Sequence, residues 1–286
     1  MVVVITRKKG SKTYYYLRHD DGRIQRETYL GRTIPKNIQE LSRNFYLKIL
    51  RESWQPAQSK IQQKHSVFLK NSTKAGIENY QEIFSYDFTH DTNKIEGSSL
   101  TKQETYKLLR FKITPAGKPE SDMIEAKTHH VVFLDMLHAL SDISLKNTLD
   151  WHGKIFKDTL PHFAGKIRNA RVVVTGSKAA FPHPNFVPAL LKQFYKWYDM
   201  GDLNPVELAG LAHFRFVSIH PFGDGNGRIS RLLMNNVLNK HRCPMLNIKY
   251  SDRHYYYSAL EKAQLGLDKN IFLKWFIKYY MVHSQR

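Results

Sequence analysis

Apolar residues fall at helical spacing on either side of one short, polar break near position 220. Leu208, Leu211, Ala212, Phe216 and Ile219 form one stripe, and Ile229, Leu232, Leu233 and Val237 form another beyond the break, as two amphipathic helices require. Asn204-Pro205 marks the start of the first, because proline at the opening position gives up no helical hydrogen bond. The pattern predicts a helix from Asn204 to Ile219 and a second beginning near Asn226. The start of the chain has a different rhythm. Val2 to Thr6, Lys12 to Arg18 and Arg23 to Leu30 alternate or are rich in β-branched and aromatic residues, and Lys9-Gly10-Ser11 and Asp20-Asp21-Gly22 separate them as hairpin turns. A three-stranded meander follows, too small to stand alone and so expected to pack on the helical body or on another copy. Gly31 to Asn37, with Pro35, reads as a connection, and Ile38 to Trp54 as the first helical stretch. The expected organisation is a small basic β-rich module over 1–36, a helical connection over 37–59 and one mainly α domain over 60–286.

The break itself carries the chemistry. His220-Pro221-Phe222-Gly223-Asp224-Gly225-Asn226-Gly227-Arg228-Ile229-Ser230-Arg231 joins a base, an acid, glycines, an amide and two cations in one run. Glycines let the backbone turn tightly, so N–H groups around Gly225, Asn226 and Gly227 can converge on an anion at the positive end of the second helix. Arg228, Arg231 and Asn235, at i, i+3 and i+7, share a face away from the apolar stripe, which would let both guanidiniums reach one polyphosphate. His220 has the side chain suited to taking a proton near neutrality, and Asp224 is a hard oxygen ligand of the kind Mg²⁺ prefers.

These residues match the pattern H-P-F-x-[D/E]-G-N-G-R-x-x-R, and from about residue 60 onward the chain resembles the Fic family. The resemblance implies a Fic-type helical bundle with a β-hairpin flap, here preceded by the small meander module. It also implies an enzyme that transfers AMP from ATP, with Mg²⁺ or Mn²⁺, to a Ser, Thr or Tyr hydroxyl of a target protein or of itself. His220 would be the catalytic base and Asp224 the metal ligand, with Gly225, Asn226, Gly227, Arg228 and Arg231 binding phosphate. The related Doc-like branch, which phosphorylates, typically carries lysine where Gly227 stands, which favours AMP transfer. No G-x-x-x-x-G-K-[ST] and no H-E-x-x-H occurs in the chain.

Thr92-Asn93-Lys94-Ile95-Glu96-Gly97 resembles the family's inhibitory sequence [S/T]-x-x-x-E-[G/N], carried on a helix expected over about 82–97. The resemblance pairs Glu96 with Arg231, where carboxylate and γ-phosphate compete for one cation. In some family members the same glutamate assists removal of AMP, so de-AMPylation is a second activity the resemblance allows. Glu96-Gly97 also reads as a helix end, with Thr101 and Glu104 opening the next helix as a capping box. Between the motifs, Val173, Val174, Thr175, Gly176 and Ser177 resemble the flap that docks an unknown target by strand addition; a buried strand without a partner is the alternative. Tyr256 and Tyr257, with Gln264 where the family often has asparagine, resemble the lining of the nucleoside pocket.

Composition adds constraints. Of 286 residues 42% are hydrophobic, enough for a substantial core, and one cysteine, Cys243, excludes a disulfide framework and points to a reducing, cytoplasmic setting. Met1 to Ile5 is too short for a signal-peptide core and no run approaches a membrane span, so no membrane association is expected. The net charge of +19 exceeds what one ATP site needs. Arg7, Lys8, Arg18, Arg23 and Arg26, interleaved with Tyr14, Tyr15 and Tyr16, leave a second reading open: a nucleic-acid-binding regulator with a vestigial or regulatory Fic site. Family members often form homodimers, and the sequence leaves the assembly open.

Overall fold

The structure, a computed structural model, describes residues 2–22, 24–139, 142–201, 203–266 and 268–284. It divides into two compact units, residues 1–60 and 61–286.

In the first unit, β1 (Val2–Lys9), β2 (Lys12–Asp20) and β3 (Gln25–Gly31) form an antiparallel meander in the order β1-β2-β3. Lys9 faces Lys12 across a two-residue turn in which Gly10 takes a φ of 61°, the positive value such turns need. Alternation sorts the faces: Leu17 and His19 are buried, while Tyr14, Tyr16 and Arg18 point the other way. On that second face Tyr29 lies 5.2 Å from Tyr16, and the guanidinium of Arg7 lies 5.0 Å from the Tyr16 ring. Glu27 sits among these cations, 2.7 Å from Arg7 and 3.9 Å from Arg18, so two arginines of the expected basic face already have an acidic partner. Arg23 lies outside the described residues. Helix α1 (Ile38–Asn71) runs across the division between the units.

The second unit is helical: α2 (Lys74–Ile95), α3 (Lys102–Phe111), α4 (Glu120–Ala139), α5 (Leu145–Phe156), α6 (Val187–Asp199), α7 (Pro205–Ile219), α8 (Asn226–Lys240), α9 (Arg253–Leu265) and α10 (Lys269–His283). Helix α8 is its axis. Ile229, Leu232, Leu233, Met234, Val237 and Leu238 are all fully buried, and α2, α4, α5 and α7 pack around it. A helix buried on every side keeps no solvent face, so Arg228, Arg231 and Asn235 are interior residues instead of an exposed polar stripe. Helix α7 closes tightly on α10: a Cβ at Gly210 would stand 2.5 Å from the Phe276 ring.

Local signals explain the ends. Asn204 caps α7 by accepting from the Val206 N–H, with Pro205 in the first turn. Thr101 and Glu104 form a complete capping box on α3. Helix α2 begins at Lys74, ahead of the expected 82, and stops at Ile95, so Glu96 is its C-cap and not part of the helix. The expected flap hairpin forms no strand pair: residues 169–183 run as an irregular excursion with a turn at 175–176, closed by the Ser177 N–H donating to Val174 C=O. Val173 is 89% exposed, which also rules out a buried strand there. β-branched residues favour extended backbone, but an extended segment becomes a strand only when a second one pairs with it.

Thr101→Ala removes the hydroxyl from the capping box and is expected to cost about 1 kcal/mol of stability, measured as a lower urea midpoint at unchanged m-value. An unshifted midpoint contradicts it.

Candidate active site

Helix α7 ends at His220, whose backbone is left-handed (φ 53°, ψ 60°), a conformation a non-glycine residue holds only when its surroundings insist. Three contacts hold it. The His220 N–H donates to Phe216 C=O, the Arg168 Nε donates to the His220 carbonyl oxygen at 2.6 Å, and the Phe181 ring packs on the imidazole at 4.0 Å between centroids. Nδ1 lies 3.2 Å from the Val217 carbonyl oxygen. A carbonyl only accepts, so the proton sits on Nδ1 and the Nε2 lone pair is free. Burial pushes the imidazole down to about 4, only partly offset by the Val217 hydrogen bond.

The loop then doubles back on itself. The Asn226 side chain accepts from the Phe222 N–H at 2.8 Å and donates to the Phe222 carbonyl oxygen at 2.9 Å. The side chain is thus the brace that shapes the turn, while the Asn226 group expected to meet phosphate is its backbone N–H, in the first turn of α8. His152 on α5, stacked 3.8 Å from Phe222, braces the turn from the other side. Its Nδ1 accepts from the Gly165 N–H at 2.9 Å, which fixes the proton on Nε2, and Nε2 donates to the Asp224 carbonyl oxygen at 3.0 Å. Gly225 has φ 77°, and a Cβ there would stand 2.4 Å from the Phe156 ring. No side chain caps the N-terminus of α8, so its first amides are left for an anion. Asp224 projects beside them with its carboxylate 57% exposed, one oxygen accepting from the Gly225 N–H.

The two arginines have separate fates. Arg231 is 1% exposed: Nε donates to Thr92 Oγ1 at 2.6 Å, Nη2 to Glu96 Oε1 at 2.6 Å and to the Thr92 carbonyl oxygen at 3.1 Å, and Nη1 to the Tyr256 hydroxyl at 3.3 Å. Thr92, Glu96 and Arg231, paired on sequence, meet as expected. The Glu96 carboxylate also lies over the first turn of α8, where a Cβ on Gly227 would stand 2.2 Å from Oε1. Gly97, with φ 104°, turns the chain away immediately after. Arg228 departs from expectation. Its guanidinium forms an ion pair with Glu125 on α4, lies within 3.4 Å of Asn93 and packs 4.4 Å from the Phe156 ring. At 4% exposed it is held chiefly at the α4–α8 contact, with Nη2 also 3.7 Å from the Asp224 carboxylate.

The expected nucleoside lining is also redistributed. Tyr256 is 1% exposed, its hydroxyl between Arg231 and His213, so its ring supports the arginine and offers no stacking face. Tyr257 is 43% exposed and donates to the Ile95 carbonyl oxygen at 3.1 Å, holding the last turn of α2. Gln264 bonds Ser218, and Asn235 pairs with the Leu246 backbone. Val173, Val174, Thr175, Gly176 and Ser177 form the tip of the excursion described above. Sequence reasoning missed Glu125 and His152, and read Arg168 only as part of the Gly165-to-Arg168 stretch leading into the flap-like valine run, with no role of its own. The one available signal was Arg168 itself, a cation placed just before the valine run.

Among the described residues no group of three or more His, Cys, Asp or Glu could hold a metal alone. A single half-exposed carboxylate fits Mg²⁺, which keeps several waters and is completed by substrate phosphates.

Histidines whose surroundings hold them neutral predict how stability depends on pH. Burial holds His152 and His220 down to about 4 and keeps His129 and His213 well below their ordinary value. An unfolded histidine takes a proton near 6.5, so the unfolded chain binds more protons between 6.5 and 4. The stabilisation is complete above 6.5 and is lost as pH falls through that window. The urea midpoint at pH 5 should therefore lie below that at pH 7.5, and equal midpoints contradict the burial.

Comparison with known proteins agrees with this geometry. Residues 142–238 match the Fic/DOC family model. The chain is 30% identical over 188 residues to "Protein adenylyltransferase Fic" of Nematostella vectensis, covering 63% of this chain and 44% of that protein. It is 33% identical over 178 residues to the protein of the same name from Drosophila yakuba, covering 60% and 36%. The chain thus spans less than half the length of these curated relatives. A Fic domain containing signaling protein from Bacteroides thetaiotaomicron superposes with a TM-score of 0.71 at 26% identity, covering 80% of this chain and 95% of that one. Fic-1 from C. elegans superposes with a TM-score of 0.73 at 23% identity over 90% of this chain and 78% of that one, a likeness of fold. The family-model match, which contains the whole His220-to-Arg231 turn, identifies residues 142–238 as a domain of the Fic/DOC family.

Proposed function

We propose that this protein transfers AMP from ATP to a hydroxyl of a target protein or of itself, and that Glu96 restrains the reaction. The observation that carries the reading is the placement of His220 and the uncapped start of α8 on one turn, with Glu96 filling the anion position beside Arg231. In the reaction, the target hydroxyl gives its proton to Nε2 of His220 as its oxygen bonds the α-phosphorus. The bond from that phosphorus to the β-phosphate bridge breaks, and pyrophosphate leaves. Because burial keeps the imidazole neutral through the physiological range, the lone pair is ready without prior deprotonation. Amides at the start of α8 face the charge that grows on the phosphate oxygens. Asp224 would hold Mg²⁺ arriving with the nucleotide, which supplies charge neutralisation. Arg231 would hold the outer phosphate once Glu96 yields its place. The buried, free Cys243 suits a reducing cytoplasm.

Labelling with α-phosphate-labelled ATP tests this. Glu96→Gly should raise incorporation at least tenfold, the factor that about 1.4 kcal/mol of lost competition gives. His220→Ala in that background should abolish incorporation. Equal labelling by the parent and Glu96→Gly removes the restraint, and labelling that survives His220→Ala removes the base.

A further inference from the structure

Arg168 stands outside every motif of the site, yet it is 6% exposed and fully engaged. Its guanidinium donates in three directions, each time to a backbone carbonyl: Nε to His220 at 2.6 Å, Nη2 to Pro182 at 2.6 Å and Nη1 to Ala170 at 2.9 Å. Its own N–H donates to the Pro221 carbonyl oxygen at 2.9 Å. Ala170 and Pro182 are the two feet of the exposed excursion that carries Val173 to Ser177. The third acceptor is the peptide of the proposed base, at the point where that residue is left-handed. No strand ladder spaces the feet of this excursion, and no carboxylate pairs with the guanidinium in these contacts.

We infer that Arg168 is a positioning residue: one guanidinium ties both ends of the 170–182 segment to the His220 carbonyl and so sets the distance between an incoming hydroxyl and the imidazole. The inference rests on the AMP-transfer reading and adds to it the part that replaces strand pairing. A planar fork with rigidly directed donors can bridge three carbonyls, whereas an ammonium on a flexible stem cannot hold the same three in fixed relation. Loss of the clamp leaves the α8 amides and Arg231 in place, so nucleotide binding survives while the geometry of transfer does not.

The test uses the full chain carrying Glu96→Gly, with Arg168→Lys or Arg168→Ala added. Self-labelling from α-labelled ATP and the ATP-induced shift in melting temperature are read on each. Arg168→Lys keeps the charge and should still lower transfer about 100-fold, the effect of an ångström-scale misplacement, while the ATP concentration giving half the thermal shift stays within about twofold of the parent. Added guanidinium at millimolar concentration should restore part of the transfer in Arg168→Ala, which a protein that had merely lost stability would not show. Transfer at the parental rate in Arg168→Lys overturns the inference, as does a parallel loss of transfer and ATP binding without guanidinium rescue. If Glu96→Gly itself transfers no label, the AMP-transfer reading fails first, and the two failures are distinct.

Discussion

The structure of the site depends on one buried cation. A guanidinium cannot leave water without replacing its hydration, and an isolated charge in the interior costs several kcal/mol even after relaxation. Arg231, central in the buried helix α8, meets that demand with Thr92, Glu96 and Tyr256. Each partner comes from a different constraint. Thr92 must lie on the inner face of α2, Glu96 must follow the end of that helix, and Tyr256 must tuck under α8 from α9. The packing of α2 and α9 against α8 is therefore fixed by electrostatic need as well as by apolar burial. Arg228 meets the same demand with Glu125 on α4 and Asn93 on α2, so two cations three residues apart tie α2, α4 and α9 to one axis.

The turn between α7 and α8 depends on a second kind of constraint, the need to satisfy backbone groups where the helical ladder stops. Its polar side chains mostly serve the backbone: Asn226 binds both polar groups of Phe222, His152 takes the Asp224 carbonyl, and Arg168 takes that of His220. With these groups satisfied the loop is rigid, and rigidity leaves the α8 amides aimed at one point. Aromatic packing completes it, with Phe222 held against His152 and Gly225 pressed to Phe156.

Periodicity made α7, α8 and the meander legible, because a helix stripe or a strand alternation is written in adjacent residues. The Glu96–Arg231 pair was legible through resemblance alone, since the residues stand 135 positions apart. What spacing could not show was direction. Arg228 and Arg231 share a helix face only on an isolated cylinder; inside the bundle the neighbouring helix nearest each one decides its partner. Tyr256 and Tyr257 read alike as aromatics, but one faces the core and the other closes α2. The valine run was legible as extended chain, while whether a second segment would pair with it depended on the rest of the fold, which brings none to it among the described residues.

The short link between α2 and its acid gives the proposed restraint a quantitative character. Glu96 follows the last helical residue directly, and the Ser98 N–H donates back to the Asn93 carbonyl oxygen at 3.0 Å, so little slack separates the carboxylate from a rigid post. On the proposed reading Glu96 is a ligand on a tether, present at Arg231 at an effective concentration that short linkers raise to millimolar or more. A nucleotide then competes against a local concentration instead of a lock.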